Sequence, residues 1–189
     1  MDKRLGYTGL QKLLHWLIAV LILAMLVSGF VFTNFDNKAW VDEAMGPGSF
    51  DFYFETHKSV GLIVLLLMAL RLVTRAFAGK PPYYPPIASV ERTLSEIVHW
   101  LLYALLIISP LLGWAAVTIF PALTPFFGLF DIPAMPGVPS GDRELYRSVA
   151  DAHEISGLAI AILASLHALA AFYHGIFKSD GVFARMTWG

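Results

Sequence analysis

Four stretches of the chain stay apolar for long enough to cross a bilayer, which takes about 20 residues. They run from Gln11 to Phe32, Glu55 to Arg75, Leu94 to Thr118 and Ala152 to Phe177. The segments between them carry most of the prolines and acidic residues. This alternation predicts an all-α integral membrane four-helix bundle in up-down order, with residues 1–189 as a single transmembrane domain. Pro110 falls inside the third stretch and is expected to bend it, which neighbouring helices tolerate in a membrane. The first stretch is not read as a cleaved signal, because three further spans follow it and no small-residue cleavage site stands after "LVSGF".

Composition agrees with the pattern. Hydrophobic residues make up 57% of the 189 residues and charged residues only 14%, where a soluble domain is about a quarter charged. Mean hydropathy is +0.66. A net charge of -1 implies no nucleic-acid partner. The absence of cysteine excludes disulfides, iron–sulfur clusters and thiolate-ligated haem. Six histidines and six methionines remain as metal ligands.

Lys and Arg in short loops set orientation. Lys3, Arg4 and Lys12 flank the first span, Arg75, Lys80 and Arg92 lie between the second and third, and Lys178 and Arg185 follow the fourth. The opposite loops are richer in acid, including Asp36, Asp42, Glu43, Asp51, Asp131, Asp142, Glu144 and Asp151. Both termini are therefore expected in the cytoplasm. "KPPYYPP" is an extended connector on that side, and the long outer loop "FPALTPFFGLFDIPAMPGVPSG" is expected at the interface, where aromatic residues settle.

The chemistry lies in the histidines. A histidine within hydrocarbon must find partners for its ring nitrogens. His153 and His167 are fourteen residues apart in the fourth span. That spacing gives about 21 Å of rise and places both within about 40° of one helix face. His57 enters the second span at the depth of His153, and His15 lies in the first span near the depth of His167. Two pairs result, each joining two helices at one level. Bis-histidine ligation of b-type haem needs two imidazoles facing each other from different helices. Gly61 and Gly157 each follow a histidine of the outer pair by four residues, leaving room for a flat macrocycle. Helix packing through small residues is the competing account of those glycines. Zinc is the rival for the histidines, although two per level leave its shell incomplete; an outer site with Glu55 or Glu154 stays open.

His99, near the cytoplasmic end of the third span, is an alternative to His15 as ligand. His174, at the end of the fourth, is a candidate proton-handling group, because histidine changes charge near neutral pH. Trp16, Trp100, Phe172 and Tyr173 are placed to border an apolar site with a few polar contacts or to form an interfacial belt. Arg71 lies fourteen residues after His57 and so reaches the inner level. There it pairs with haem propionates or snorkels to lipid phosphates.

Taken together, "LLHW", "HKSVG" with "ALRLVTR", "EIVHWLLYALL" and "HEISG…LHALAAFYHGIF" resemble the bacterial cytochrome b561 family, which includes cytochrome b subunits of hydrogenases and formate dehydrogenases. The resemblance covers nearly the whole chain. It implies a bacterial inner-membrane protein of four helices, two b haems and electron exchange with quinone. His57 and His153 would hold the outer haem, and His15 and His167 the inner. Within the family this short chain is similar to the di-haem superoxide oxidases, in which superoxide reduces the outer haem and ubiquinone takes the electrons inside. Lys58, beside His57, with Arg143 or Arg147, would then supply local positive charge for the anion. A membrane anchor relaying electrons for a periplasmic dehydrogenase or hydrogenase is the alternative, and a histidine-lined metal transporter a more distant one.

Overall fold

Thr8 starts the first helix. Its hydroxyl accepts from the Gln11 amide while the Gln11 side chain accepts from the Thr8 amide, a reciprocal cap that satisfies two otherwise orphaned donors. Helix α1 spans Gly9–Val27 and continues as a π-helical turn, Ser28–Phe32. A short amphipathic helix α2 (Lys38–Met45) follows. Helices α3 (Ser49–Ala78) and α4 (Ser89–Ile119) come next, then a two-stranded hairpin of β1 (Pro125–Phe126) and β2 (Phe130–Asp131). Asp142 caps α5 (Arg143–Phe172) by accepting from the Glu144 and Leu145 amides. The chain ends in a second π-helical turn, Tyr173–Lys178, and a short 3-10 turn, Phe183–Met186. This computed structural model describes residues 6–120 and 124–188. Lys3 and Arg4 of the basic N-terminal cluster and residues 121–123 of the outer loop lie outside them.

Among the described residues four helices are long and apolar enough to cross a membrane: Gly9–Phe32, Ser49–Ala78, Ser89–Ile119 and Arg143–Lys178. They contain the four apolar stretches of the sequence but run beyond them. The 55–75 stretch gains about a turn and a half at its start, Ser49–Phe54, and the 152–177 stretch gains more than two polar turns, Arg143–Asp151. Hydrogen bonding continues through residues too polar for the hydrocarbon, so helix ends and membrane boundaries differ.

Helix α1 packs on α3, α3 on α4, and α4 on α5. The buried core is narrow: Ile18, Val64, Met68, Tyr103, Leu106 and Ile160. Most of the apolar surface points outward, as in Leu23, Leu66 and Leu169, each about two-thirds exposed. A soluble bundle hides such a surface; a bilayer solvates it.

Candidate functional site

The five histidines of α1, α3, α4 and α5 gather at two levels. Near the loop end, the rings of His57 and His153 face each other with centroids 6.1 Å apart and planes at 89°. Toward the end that bears the described termini, His15 and His167 stand 6.0 Å apart at 83°. His99 joins this second level, 4.9 Å from His167. A six-coordinate metal with two opposed imidazoles needs ring centres roughly 6.2 Å apart, from bonds of about 2.0 Å plus the half-width of each ring. The His57–His153 and His15–His167 pairs meet this separation, whereas His99–His167 is too close. The depth-matched pairing expected from the sequence is thus what the fold brings together.

Each imidazole of the outer pair is aimed by a neighbour. Ser28, the first residue of the π turn in α1, donates to the Met25 carbonyl and accepts from His57 Nδ1 at 2.7 Å. His153 Nδ1 donates to the Ser109 carbonyl at 2.8 Å. With Nδ1 engaged, Nε2 is the nitrogen left for a metal, and the ring orientation is fixed from outside the coordination sphere. His99 Nδ1 likewise donates to the Ser95 carbonyl of its own helix.

The glycines divide differently from the expectation. Gly61 and Gly157 line the space beside the outer pair, where a Cβ would meet only Met25 and Phe30 at 3.6 and 3.8 Å. The close approaches belong to Gly29 and Gly113, which the sequence reading missed. A Cβ on Gly113 would fall 3.2 Å from His153 Cε1, and one on Gly29 would fall 3.3 Å from His57 Cε1. Gly29 follows Ser28, and Gly113 lies one turn beyond Ser109, so each hydrogen-bonding partner comes with the clearance its histidine needs. These glycines lie on the helices beside the histidine-bearing ones, which is why an H-x-x-x-G pattern within one helix does not find them. Both rings line a cavity of about 400 Å³ that is otherwise bordered mainly by apolar groups of α1, α3, α4 and α5.

At the inner level Arg71 is 9% exposed, and its Nη1 has no hydrogen-bond partner among the described residues. Its guanidinium stands 5.8 Å from the Tyr103 ring and within electrostatic reach of both His15 and His167. A buried, incompletely paired cation calls for an anion, and a propionate-bearing macrocycle supplies one. The residues fit haem on three independent features: ring separation, Nδ1 anchoring and the orphaned arginine. Among the described residues no group of three or more His, Asp or Glu is arranged to hold a metal ion, so the outer site with Glu55 or Glu154 does not form.

Lys58, expected to contribute local positive charge beside His57, is engaged by an acid. Its ammonium meets the Glu55 carboxylate at 2.7 Å, sits over the Phe54 ring and is 9% exposed. Arg143 and Arg147 are exposed. Trp16, Trp100, Phe172 and Tyr173 all lie on the outer surface of the bundle near the inner level. His174 is half-buried there, and its Nδ1 donates to Asp180 at 2.6 Å.

An outward-apolar four-helix bundle with paired internal histidines defines a membrane haem protein. Residues 6–189 match the family model of the prokaryotic cytochrome b561, and the chain belongs to that family. It is 24% identical to the probable superoxide oxidase CybB of Yersinia pestis, over 95% of this chain and 94% of that one. Cytochrome b561 homolog 2 of Escherichia coli is 23% identical, with 95% and 90% covered. Cytochrome b562 of Cereibacter sphaeroides is 29% identical, with 98% of each chain covered. The chain is a multi-pass bacterial membrane protein of the electron-transfer class.

Proposed function

We propose that the chain holds two b haems and passes electrons from a donor at the outer face of the bacterial inner membrane to ubiquinone at the cytoplasmic face. The observation that carries this reading is the pair of histidine couples, 6.1 and 6.0 Å between ring centres, at two depths of one bundle. His57 and His153 bind the outer haem in the cavity that Gly61 and Gly157 line. His15 and His167 bind the inner haem, with Arg71 at its propionates. When bound, the haems supply one-electron transfer between the faces; the protein supplies ligands, spacing and a dry interior.

Superoxide is the proposed donor, in line with the name of the Yersinia pestis relative. Two superoxide anions, one quinone and two protons then give two dioxygen molecules and one quinol. Lys58 borders the outer cavity, where the Glu55–Lys58 pair supplies a polar contact for the anion. His99 and His174 stand at the cytoplasmic end as the polar groups of the quinone site, among the surface aromatics that a lipid-borne quinone meets first. The test is direct. The purified protein should contain two haems by pyridine haemochrome assay, should be reduced by superoxide and should be reoxidised by a soluble ubiquinone. One haem per chain would overturn the reading.

A second reading has its own observation. Because Lys58 is already neutralised by Glu55, the outer cavity holds little free positive charge to attract an anion. A periplasmic redox protein as donor, with this chain as its electron-relaying membrane anchor, is favoured by that pairing. Haem reduction by superoxide in the isolated chain separates the two.

A further inference from the structure

Helix α5 does not end as an ordinary helix. Its last α-helical residue is Phe172, and a π-helical turn carries Tyr173–Lys178. Ser179 then takes φ +48° and Gly181 φ +78°, turning the chain back on itself. The reversal brings Asp180 beneath His174: Asp180 Oδ2 accepts from His174 Nδ1 at 2.6 Å, and Oδ1 accepts from the Val182 amide at 3.2 Å. The turn is locked from behind, because Phe183 packs so closely on Gly175 that a Cβ there would fall 3.2 Å from its ring. The two side chains are 13% and 14% exposed, nearly enclosed yet within reach of water.

We propose that Asp180 is a positioning residue that orients His174 as the proton donor for quinone reduction at the cytoplasmic face. The inference rests on the quinone reading above and adds the residue on which its proton step depends. Seven residues, about 10 Å of helical rise, separate His167 in α5 from His174 in the π turn. His174 therefore lies between the inner haem level and the cytoplasm. Its Nδ1–H is committed to the carboxylate, which leaves Nε2 as the nitrogen that meets a substrate. Each quinone takes two electrons from the haems and two protons. For each proton, an N–H bond at Nε2 breaks as an O–H bond forms on a quinone oxygen, and water on the cytoplasmic side then reprotonates the ring.

The charges around His174 favour this role. Glu91 at the start of α4 and Lys178 in the π turn face it, but they pair with each other at 2.5 Å. Tyr173 contacts it edge-on. Arg185 in the tail turns away, toward Pro81 and Tyr83. The charge in direct contact with His174 is thus the Asp180 carboxylate, at 2.6 Å from Nδ1. Held carboxylates of this kind orient catalytic imidazoles without themselves being protonated.

The experiment is stopped-flow reoxidation of the dithionite-reduced holoprotein by a soluble ubiquinone between pH 5.5 and 9, with proton uptake followed by an indicator dye and haem content checked first. Asp180→Asn should lower the reoxidation rate and its coupled proton uptake several-fold and alter their pH profile, with the quinone concentration at half-maximal rate unchanged. Asp180→Glu keeps the carboxylate and should restore the wild-type profile. If wild type and Asp180→Asn share one profile, or if Asn and Glu displace it equally, Asp180 only staples the tail and the inference is overturned. Failure of ubiquinone to reoxidise the wild-type haems overturns the quinone reading instead, and the inference with it.

Discussion

Gly113 and His153 meet where α4 crosses α5: a Cβ on the glycine would sit 3.2, 3.4 and 3.7 Å from Cε1, Nδ1 and Nε2 of the imidazole. The contact is side-on to the whole ring, so the histidine has no direction in which to give way except into the haem space. Gly113→Val should therefore displace His153, at an overpacking cost of about 1–3 kcal/mol. The expected result is loss of one haem per chain with the other retained. Gly9→Ala, where nothing lies within 4 Å of the added carbon, should retain both. Haem content and low-temperature spectra of the purified variants measure the outcome; two normal haems in Gly113→Val would contradict it.

The two levels should come apart by mutation. His57→Ala and His153→Ala should each remove the outer haem and spare the inner, while His15→Ala and His167→Ala do the reverse. His99→Ala should retain both haems, because its ring is too close to His167 for the two to oppose each other across one iron. It should slow reoxidation by quinone several-fold. A haem lost from His99→Ala, with both kept in His15→Ala, would exchange the roles of these two residues.

Much of this arrangement could be read along the chain. Four apolar stretches mark the helices, and a fourteen-residue spacing converts helix geometry into depth, pairing His57 with His153 and His15 with His167. Depth is one-dimensional and survives errors of a residue or two. Rotation about the helix axis does not survive them. Gly29 and Gly113 were missed because their role depends on which face of one helix meets which histidine of another. The π turns at Ser28–Phe32 and Tyr173–Lys178 each insert a residue into the helical repeat. They re-aim Ser28 toward His57 and His174 toward Asp180, and no periodicity in hydrophobicity marks them. The pairing of Lys58 with Glu55, three residues earlier, was likewise not legible, because Glu55 read as one more outer acid.

Arg71 should set the potential of the inner haem. A nearby positive charge favours the reduced, less positive iron, so Arg71→Ala should lower that potential. A unit charge roughly 8 Å away contributes about 2 kcal/mol at an effective dielectric near 20; relaxation and water entry reduce this, leaving a fall on the order of tens of millivolts. Arg71→Lys, a compact point charge without the planar fork, should recover part of it. A spectroelectrochemical titration of both variants decides the matter. Unchanged potentials in Arg71→Ala would show that its charge does not act on the inner haem.

The C-terminal tail should depend on Arg185. Its guanidinium stacks 4.0 Å from the Tyr83 ring centre and 5.3 Å from that of Tyr7, and Nη2 donates to the Pro81 carbonyl. Around it, the Tyr7 amide donates to the Arg185 carbonyl, Trp16 Nε1 to Met186 and Lys12 Nζ to Thr187. One buried side chain thus ties the tail to the start of α1 and to the α3–α4 connector. The packing around it also pushes the Tyr7 hydroxyl above its ordinary pKa, burial outweighing the attraction of Arg185 and Arg75. Arg185→Ala should lower the midpoint of thermal haem release by several degrees and expose the tail to protease. Lysine should rescue little of this, since it cannot both stack on tyrosine and donate from a planar fork.

Acid should loosen the same tail at a second point. Burial alone would raise the Asp180 carboxyl, but the His174 hydrogen bond, the Val182 amide and the nearby Lys178 charge hold it below the ordinary carboxylate value. A carboxylate with a depressed folded-state pKa stabilises the fold above its unfolded value and loses that contribution as the pH falls through the folded one. The Asp180–His174 staple is therefore complete at neutral pH and begins to fail only below about pH 4. Hydrogen exchange read by mass spectrometry, corrected for the intrinsic pH dependence of amide exchange, measures this at the Val182 amide, which Asp180 accepts. Protection there should be flat from pH 7 to about pH 4 and fall below that. In Asp180→Asn, protection should be lower at neutral pH and should lack the acid step. An acid step of wild-type size in the asparagine variant would assign it to another carboxylate.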